Sequence, residues 1–310
     1  MLNQIIVHPG RAHLDDFLAV CFLLNHFGND VAVYRRDPTP EELEDPKTAV
    51  VDQGLQHVPA LMNFDHHQFS PDHPPTCALS LVLQYLGLYQ FAIESNWLAF
   101  TELADSKGPV EAAALVGCSV DKLGMTRSPL ESAMLQIFGH VGPSLPVMDD
   151  FKNLMIQIAG QHLGRWRLSA ERMAELPTMI DYHLDGKVAG LQVPAISKPT
   201  LALEKYFETT GASPVVVVSA SERRVGSWSI YRRPGCEALV DLRNAPHCLF
   251  HHSNGFLAVT EKMDYTDALQ IAINEVEKGR PDPEFEVKPP FDKPIINIDA
   301  PASFLSLIHI

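Results

Sequence analysis

The stretch "NFDHHQFS", residues 63–70, sets a carboxylate, Asp65, beside two imidazoles, His66 and His67. Three other segments of the first 105 residues offer the same side-chain types. His8, His13 and Asp15 follow the spacing H-x4-H-x-D, Asp52 stands in "VVDQG" and Asp105 in "ELADSKG". Each piece alone has an ordinary explanation. A strand-end aspartate is commonly a cap or turn residue, and a single histidine is commonly a satisfied structural one. Together they supply the donors of a metal centre. Asp15, Asp52 and Asp105 drawn into one crevice would repel and titrate upward without a cation. Two divalent cations would reverse the local sign and leave a slight positive excess, which suits a phosphate. Imidazole and carboxylate donors without thiolate favour Mn²⁺, with Zn²⁺, Fe²⁺ and Co²⁺ as alternatives, whereas Mg²⁺ prefers oxygen and water.

These residues need strands and helices to bring them together. "NQIIVH" (3–8) reads as a buried strand and "LDDFLAVCFLLNHFG" (14–28) as a helix stopped by Gly28. "VAVYRR" (31–36), "TAVVDQG" (48–54) and "LMNFDHH" (61–67) read as three more strands, and 77–87 and 92–106 as helices. Strands alternating with helices predict a parallel α/β sheet, and such sheets bind ligands at the carboxyl ends of their strands. His8, Asp52 and residues 65–67 all fall at such ends. Asp16 is expected to favour the helix N-terminus electrostatically, and Glu102 to be a surface or supporting residue. From 128 to 185 the pattern is helical, and "DYHLDG" (181–186) reads as a turn at a helix end. "VPAISKP" (193–199) reads as a linker or edge, "SPVVVVSA" (213–220) opens a second, smaller α/β domain, and 281–310 is a proline-rich tail. The expected organisation is a metal-binding domain over 1–190, a substrate-binding domain over 200–280 and the tail.

The chain has 310 residues, 46% of them hydrophobic, enough for two cores. A net charge of −14 excludes a uniformly basic nucleic-acid surface but not a phosphate substrate at a cation centre. Five cysteines without a CxxC pair read as free thiols of a reducing compartment. No signal peptide and no apolar run of about 18 residues is found, so a cytoplasmic protein without a membrane span is expected.

"HPGRAHLDDFLAVCFLL" with "VVDQG", "FDHHQ" and "ADSKG" resembles the DHH phosphoesterase superfamily. Within it the chain is most similar to the melanocyte-proliferating-gene family, which shares the opening H-x4-H-x-D-[DE] and the motif DHHQ. Most other DHH phosphatases, including the manganese pyrophosphatases, have Asp where this chain has His13. "CLFHHSNGFLAV" (248–259) is also similar to that family's F-x-H-x-x-G-F signature, through Phe250, His252, Gly255 and Phe256. The resemblance spans about 5 to 275 and leaves the middle helical segment unmatched. It implies two cations, one held by His8, His13 and Asp52 and the other by Asp15, Asp52, His66 and Asp105, with Asp52 shared. It also implies that His67 faces the substrate phosphate while Asp65 orients a histidine. The family is described as metal-dependent hydrolases with 3′–5′ exoribonuclease activity.

The second domain is expected to choose the substrate. "SERRVGSWSIYRRPG" sets Arg223, Arg224, Arg232 and Arg233 around Trp228 and Tyr231, and arginines fork onto phosphates while aromatics stack on bases. Arg232, Arg233, His252 and Gly255 are the candidate substrate contacts. The leading expectation is an exonuclease acting on short RNA or oligonucleotides. The alternatives are a phosphatase of pyrophosphate, polyphosphate or a nucleotide, and a metal-binding protein without turnover. The oligomeric state is not legible.

Overall fold

The computed structural model describes residues 2–125, 128–192 and 200–279. The chain forms two compact units, one running to Trp166 and one beginning at Arg167.

In the first unit, β1 (Gln4–Val7) leads through a short loop into α1 (Leu14–Phe27), followed by β2 (Ala32–Arg35), α2 (Pro40–Glu44), β3 (Thr48–Val51), β4 (His57–Val58) and β5 (Asn63–Phe64). The sheet order is β2-β1-β3-β5-β4. β1, β2, β3 and β5 run parallel, and β4 folds back antiparallel on β5. Continuous apolar strands such as "TAVV" are what a sheet buried on both faces demands. The helices α3 (Ala78–Tyr85), α4 (Tyr89–Ala92), α5 (Asn96–Ser106), α6 (Pro109–Leu115), α7 (Val120–Met125) and α8 (Pro129–Gly139) come next. α9 (Asp149–Met179) starts in this unit, where it buries Phe151, Met155 and Trp166.

Two elements differ from the sequence expectation. Over 61–67 the strand is reduced to the two residues of β5, because Pro59–Leu61 forms a 3-10 turn and Met62 takes a left-handed φ of 60°. Over 180–191 a hairpin replaces the expected helix end: β6 (Ile180–His183) pairs antiparallel with β7 (Val188–Leu191). Leu184, Asp185 and Gly186 all have positive φ, and the Asp-Gly pair supplies the turn that such a hairpin prefers.

The second unit therefore includes these two strands, earlier than the expected boundary. α10 (Thr200–Thr210), β8 (Val216–Ala220), β9 (Trp228–Arg232), β10 (Cys248–His251), β11 (Leu257–Thr260) and α11 (Tyr265–Lys278) complete it. Its sheet order is β10-β11-β9-β8-β7-β6, with β7 and β8 parallel and the other pairs antiparallel. Ala268, Ile271, Ala272 and Val276 of α11 pack on Val216, Val218 and Ile230 of this sheet. The linker 193–199 and the tail 281–310 lie outside the described residues. No described helix is long and apolar enough to cross a membrane. The five cysteines are free, with Cys21, Cys77 and Cys236 buried.

Candidate metal centre

The registers of the first sheet assemble the site. Val7 pairs with Val51, and Val51 with Phe64. His8, Asp52 and Asp65 are the next residues on three adjacent parallel strands, so they leave the sheet side by side at its carboxyl edge. Asp52 turns sharply there, with φ at 58°, a region that aspartate tolerates better than most residues. Its amide donates to the Phe64 carbonyl at 3.0 Å, which locks the turn to β5. Two residues on, Gly54 has φ 94°, and a Cβ there would stand 2.7 Å from Leu43 Cδ2. The left-handed backbone calls for the glycine of "VVDQG", and the Leu43 side chain would have to shift for any larger residue.

His13 and Asp15 enter from the loop and first turn of α1, and Asp105 enters from the last turn of α5. Three groups of ligand-type atoms result, each with its members within 4.8 Å of one another: His8, His13 and Asp52; Asp15, Asp52, His66 and Asp105; and Asp52, Asp65, His66 and His67. Asp52 belongs to all three. The structure brings together His8, His13, Asp15, Asp52, Asp65, His66, His67 and Asp105.

Hydrogen bonding separates ligands from supports. Both carboxylate oxygens of Asp15 are buried without a hydrogen-bond partner, as are Asp52 Oδ1, Asp105 Oδ2 and His66 Nε2. His66 Nε2 lies 2.8 Å from Asp105 and 3.2 Å from Asp52, yet it forms a hydrogen bond with neither. These atoms converge without bonding to one another, and buried polar groups are otherwise nearly always paired. Ligand atoms on one cation, each about 2.0–2.2 Å from it, would be separated by such distances. A cationic partner accounts for the arrangement, and a nitrogen and oxygen donor set without thiolate fits a divalent transition metal.

Asp65 is the opposite case. Oδ1 accepts from the His66 amide at 2.7 Å, the His67 amide at 3.1 Å and His67 Nδ1 at 2.7 Å, while Oδ2 accepts from the Leu55 amide at 2.6 Å. Burial opposes its ionisation, but these donors hold its carboxyl below the usual range. Asp65 therefore organises the loop. It fixes the Nδ1–H tautomer of His67, whose ring is half-exposed.

The electrostatics match a site built for cations. Burial first, then the Asp52 and Asp105 charges, push the Asp15 carboxyl well above its ordinary value. Burial likewise raises Asp52, although the His66 ring opposes it. Burial alone would lower His66, but the Asp105 and Asp52 carboxylates carry it up to about 10.

Asp16 does more than favour a helix terminus. It is fully buried, lies 2.6 Å from His8 Nε2, and accepts from the His13 amide at 3.2 Å and from Arg35 Nη1 at 3.4 Å. Arg35, absent from the sequence reading, is also fully buried. It reaches the Gly10 carbonyl at 3.3 Å and lies 4.4 Å from the centre of the Phe138 ring. This pair braces the loop that carries His8 and His13. Glu102 is buried rather than exposed, accepting from Ser80 Oγ at 2.6 Å and Tyr89 OH at 2.9 Å. It ties α5, and with it Asp105, to α3. Lys107 donates to the His73 carbonyl at 2.8 Å, anchoring the loop after His67 to the end of the same helix.

The candidate contacts of the second unit have a different character. Arg232 is buried, donating to the Val240 carbonyl at 2.8 Å and the Asn254 carbonyl at 3.4 Å. Arg233 pairs with Glu204 at 2.7 Å and lies over Phe207. Both guanidinium groups have partners inside their own unit, while their Nε atoms are buried without one. Gly255, with φ 67°, closes a turn in which its amide donates to the His252 carbonyl at 2.8 Å, and a Cβ there would collide with the Asp241 carboxylate. His252 is half-buried at this turn with its ring against Phe256, and its Nδ1 accepts from the Asn254 amide at 3.1 Å.

The family model MYG1_exonuc, described as an uncharacterised protein family (UPF0160), matches residues 4–76. This stretch, under half of the chain, contains His8, His13, Asp15, Asp52 and residues 65–67 but not Asp105. No curated protein matches. Among solved structures the chain is similar to exonuclease RecJ bound to manganese, with 14% identity over 92% of this chain and 91% of that one and a TM-score of 0.31. It is also similar to an exopolyphosphatase-related protein from Bacteroides fragilis, with 12% identity over 89% and 92% and a TM-score of 0.26. Both superpositions are loose.

Proposed function

We propose that the chain is a DHH-type, metal-dependent phosphoesterase of the melanocyte-proliferating-gene kind, hydrolysing short RNA or oligonucleotides from the 3′ end. The observation that carries this reading is the convergence of buried, unpartnered donor atoms of Asp15, Asp52, His66 and Asp105, with Asp52 shared by a second group containing His8 and His13. A pair of divalent cations, Mn²⁺ by the donor set, supplies Lewis-acid stabilisation and water activation for displacement at phosphorus. His8, His13 and Asp52 would hold one, and Asp15, Asp52, His66 and Asp105 the other. His67, held by Asp65, offers Nε2 to a phosphate oxygen or the departing group. Asp16 and Arg35 keep His8 in register. In the second unit, His252 on its Gly255 turn is the substrate-facing candidate, and Arg232 supports that turn through Asn254.

The test is a 5′-labelled short RNA and pyrophosphate offered in parallel to protein stripped with chelator and reloaded with Mn²⁺. The expected outcome is shortening of the RNA from its 3′ end, abolished by Asp105→Asn. Release of orthophosphate from pyrophosphate with intact RNA would overturn the nuclease in favour of a small-molecule phosphatase. Tight Mn²⁺ binding with neither reaction would leave a binding protein.

A further inference from the structure

The loop between His8 and His13 has a second side. Residues 10–12 form one wall of a cavity of about 560 Å³, and α8 forms the other. That volume falls within the range of about 300–1,000 Å³ typical of small-ligand sites. α8 lies directly on the loop, since a Cβ on Gly139 would stand 3.3 Å from both the Ala12 amide nitrogen and the Gly10 carbonyl oxygen. The cavity and the cation ligands are therefore held by one segment, with Arg11 two residues before His13.

The lining has a definite chemistry. Leu135 offers an apolar surface. Gln136 offers an amide, Glu131 a carboxylate and Arg11 a guanidinium, which no hydrogen bond or ion pair occupies among the described residues. His140 Nδ1 lies 2.6 Å from the Gln136 carbonyl, which can only accept, so Nδ1 carries the proton and Nε2 is free to accept in the neutral ring. This is a mixed set: an apolar face for a planar ring, donors and acceptors for its edge or for ribose hydroxyls, and a cation for a phosphate. Glu131 disfavours a bare anion filling the cavity. Inorganic pyrophosphate would leave Leu135 unused.

We infer that this cavity is a subsite for the nucleoside portion of a phosphate ester, placed beside the cation centre by the loop joining His8 to His13, with Arg11 and Leu135 as its specificity residues. The inference rests on the phosphoesterase reading and deepens it by assigning the nucleoside a place and two specificity residues.

Two cavity variants test it, Arg11→Ala and Leu135→Trp, the second filling the space without removing a charge. Each is assayed with Mn²⁺-loaded protein on a dinucleotide and on bis(p-nitrophenyl) phosphate, a compact diester without a nucleoside. Calorimetry measures Mn²⁺ binding to each, and AMP binding to each Mn²⁺-loaded protein. The expected result is a KM for the dinucleotide that rises at least tenfold relative to that for the compact diester. AMP should bind at least tenfold more weakly while Mn²⁺ affinity holds. If both diesters are hydrolysed but the two KM values stay in their original ratio and AMP affinity is unchanged, the subsite is refuted and the phosphoesterase reading stands. If the unsubstituted protein hydrolyses neither diester, the phosphoesterase reading itself falls and the subsite with it.

Discussion

At the scale of single residues, the centre separates carboxylates that want a cation from those that already have donors. Asp15 has none, so Asp15→Asn should raise the thermal midpoint of the chelated protein at pH 8 by relieving repulsion. The same change should weaken Mn²⁺ binding by more than the roughly 10–100-fold typical of outer-shell substitutions, as titration calorimetry would read. A fall in the chelated midpoint with Mn²⁺ affinity intact would contradict the ligand role. Asp16 and Arg35 behave differently because they already form a buried pair. Asp16→Asn and Arg35→Met should each destabilise by about 3–5 kcal/mol, since either leaves an uncompensated buried group. The double variant should lose less than the sum, with a coupling of about 0.5–3 kcal/mol in urea unfolding. Strict additivity would mean that the two do not act together. The candidate ligands are legible in the sequence because they are few, polar and set against apolar runs. Asp16 and Arg35 are not, because their meaning lies in a partner 19 residues away on another element. Glu102 and Ser80 are hidden in the same way, 22 residues apart.

At the scale of elements, the site is a consequence of strand register. Three parallel strands end level, and the chain beyond each end must turn at once. Gly54 makes that possible for β3, so Gly54→Ala should cost about 1–3 kcal/mol through its positive φ and the contact with Leu43. Adding Leu43→Ala should not restore the loss, because the backbone strain persists, and the double variant should still bind Mn²⁺ more weakly than the parent. Full recovery by Leu43→Ala would assign the whole effect to packing. The parallel sheet and its ligand-bearing carboxyl edge are readable from the alternation of apolar strands and helices, whereas the strand order is not. The hairpin of β6 and β7 is concealed because its apolar spacing continues that of α9. The Asp-Gly pair at 185–186 is the available signal, but the same pair also suits the end of a helix. The partners of Arg232 and Arg233 are hidden for a related reason: a basic cluster on a strand looks the same in sequence whether its side chains face solvent or reach carbonyls and a carboxylate of their own unit.

At the scale of the whole molecule, the cation centre links stability to pH. His66, raised to about 10 by Asp105 and Asp52 against the pull of burial, contributes stability that is complete below its unfolded pKa near 6.5. That contribution is lost as pH rises through about 10. Asp15 and Asp52, raised above their ordinary values chiefly by burial, act in the same sense from lower pH: their protonated forms favour the folded state, and ionisation removes that advantage. The chelated protein should therefore become progressively less stable from about pH 4 to about pH 10 at these groups. Cations compete with the same protons, so Mn²⁺ affinity should climb over that interval as the ligands lose them. The stabilisation by Mn²⁺ should then be small at pH 5 and large at pH 8, about 2.7 kcal/mol at a free concentration of 100 Kd. Thermal unfolding of chelated and loaded protein across this range checks both halves of the prediction. A gap between the two curves that stays constant with pH would mean that the bound cations displace no protons from these side chains. The centre would then have to be formed by other groups.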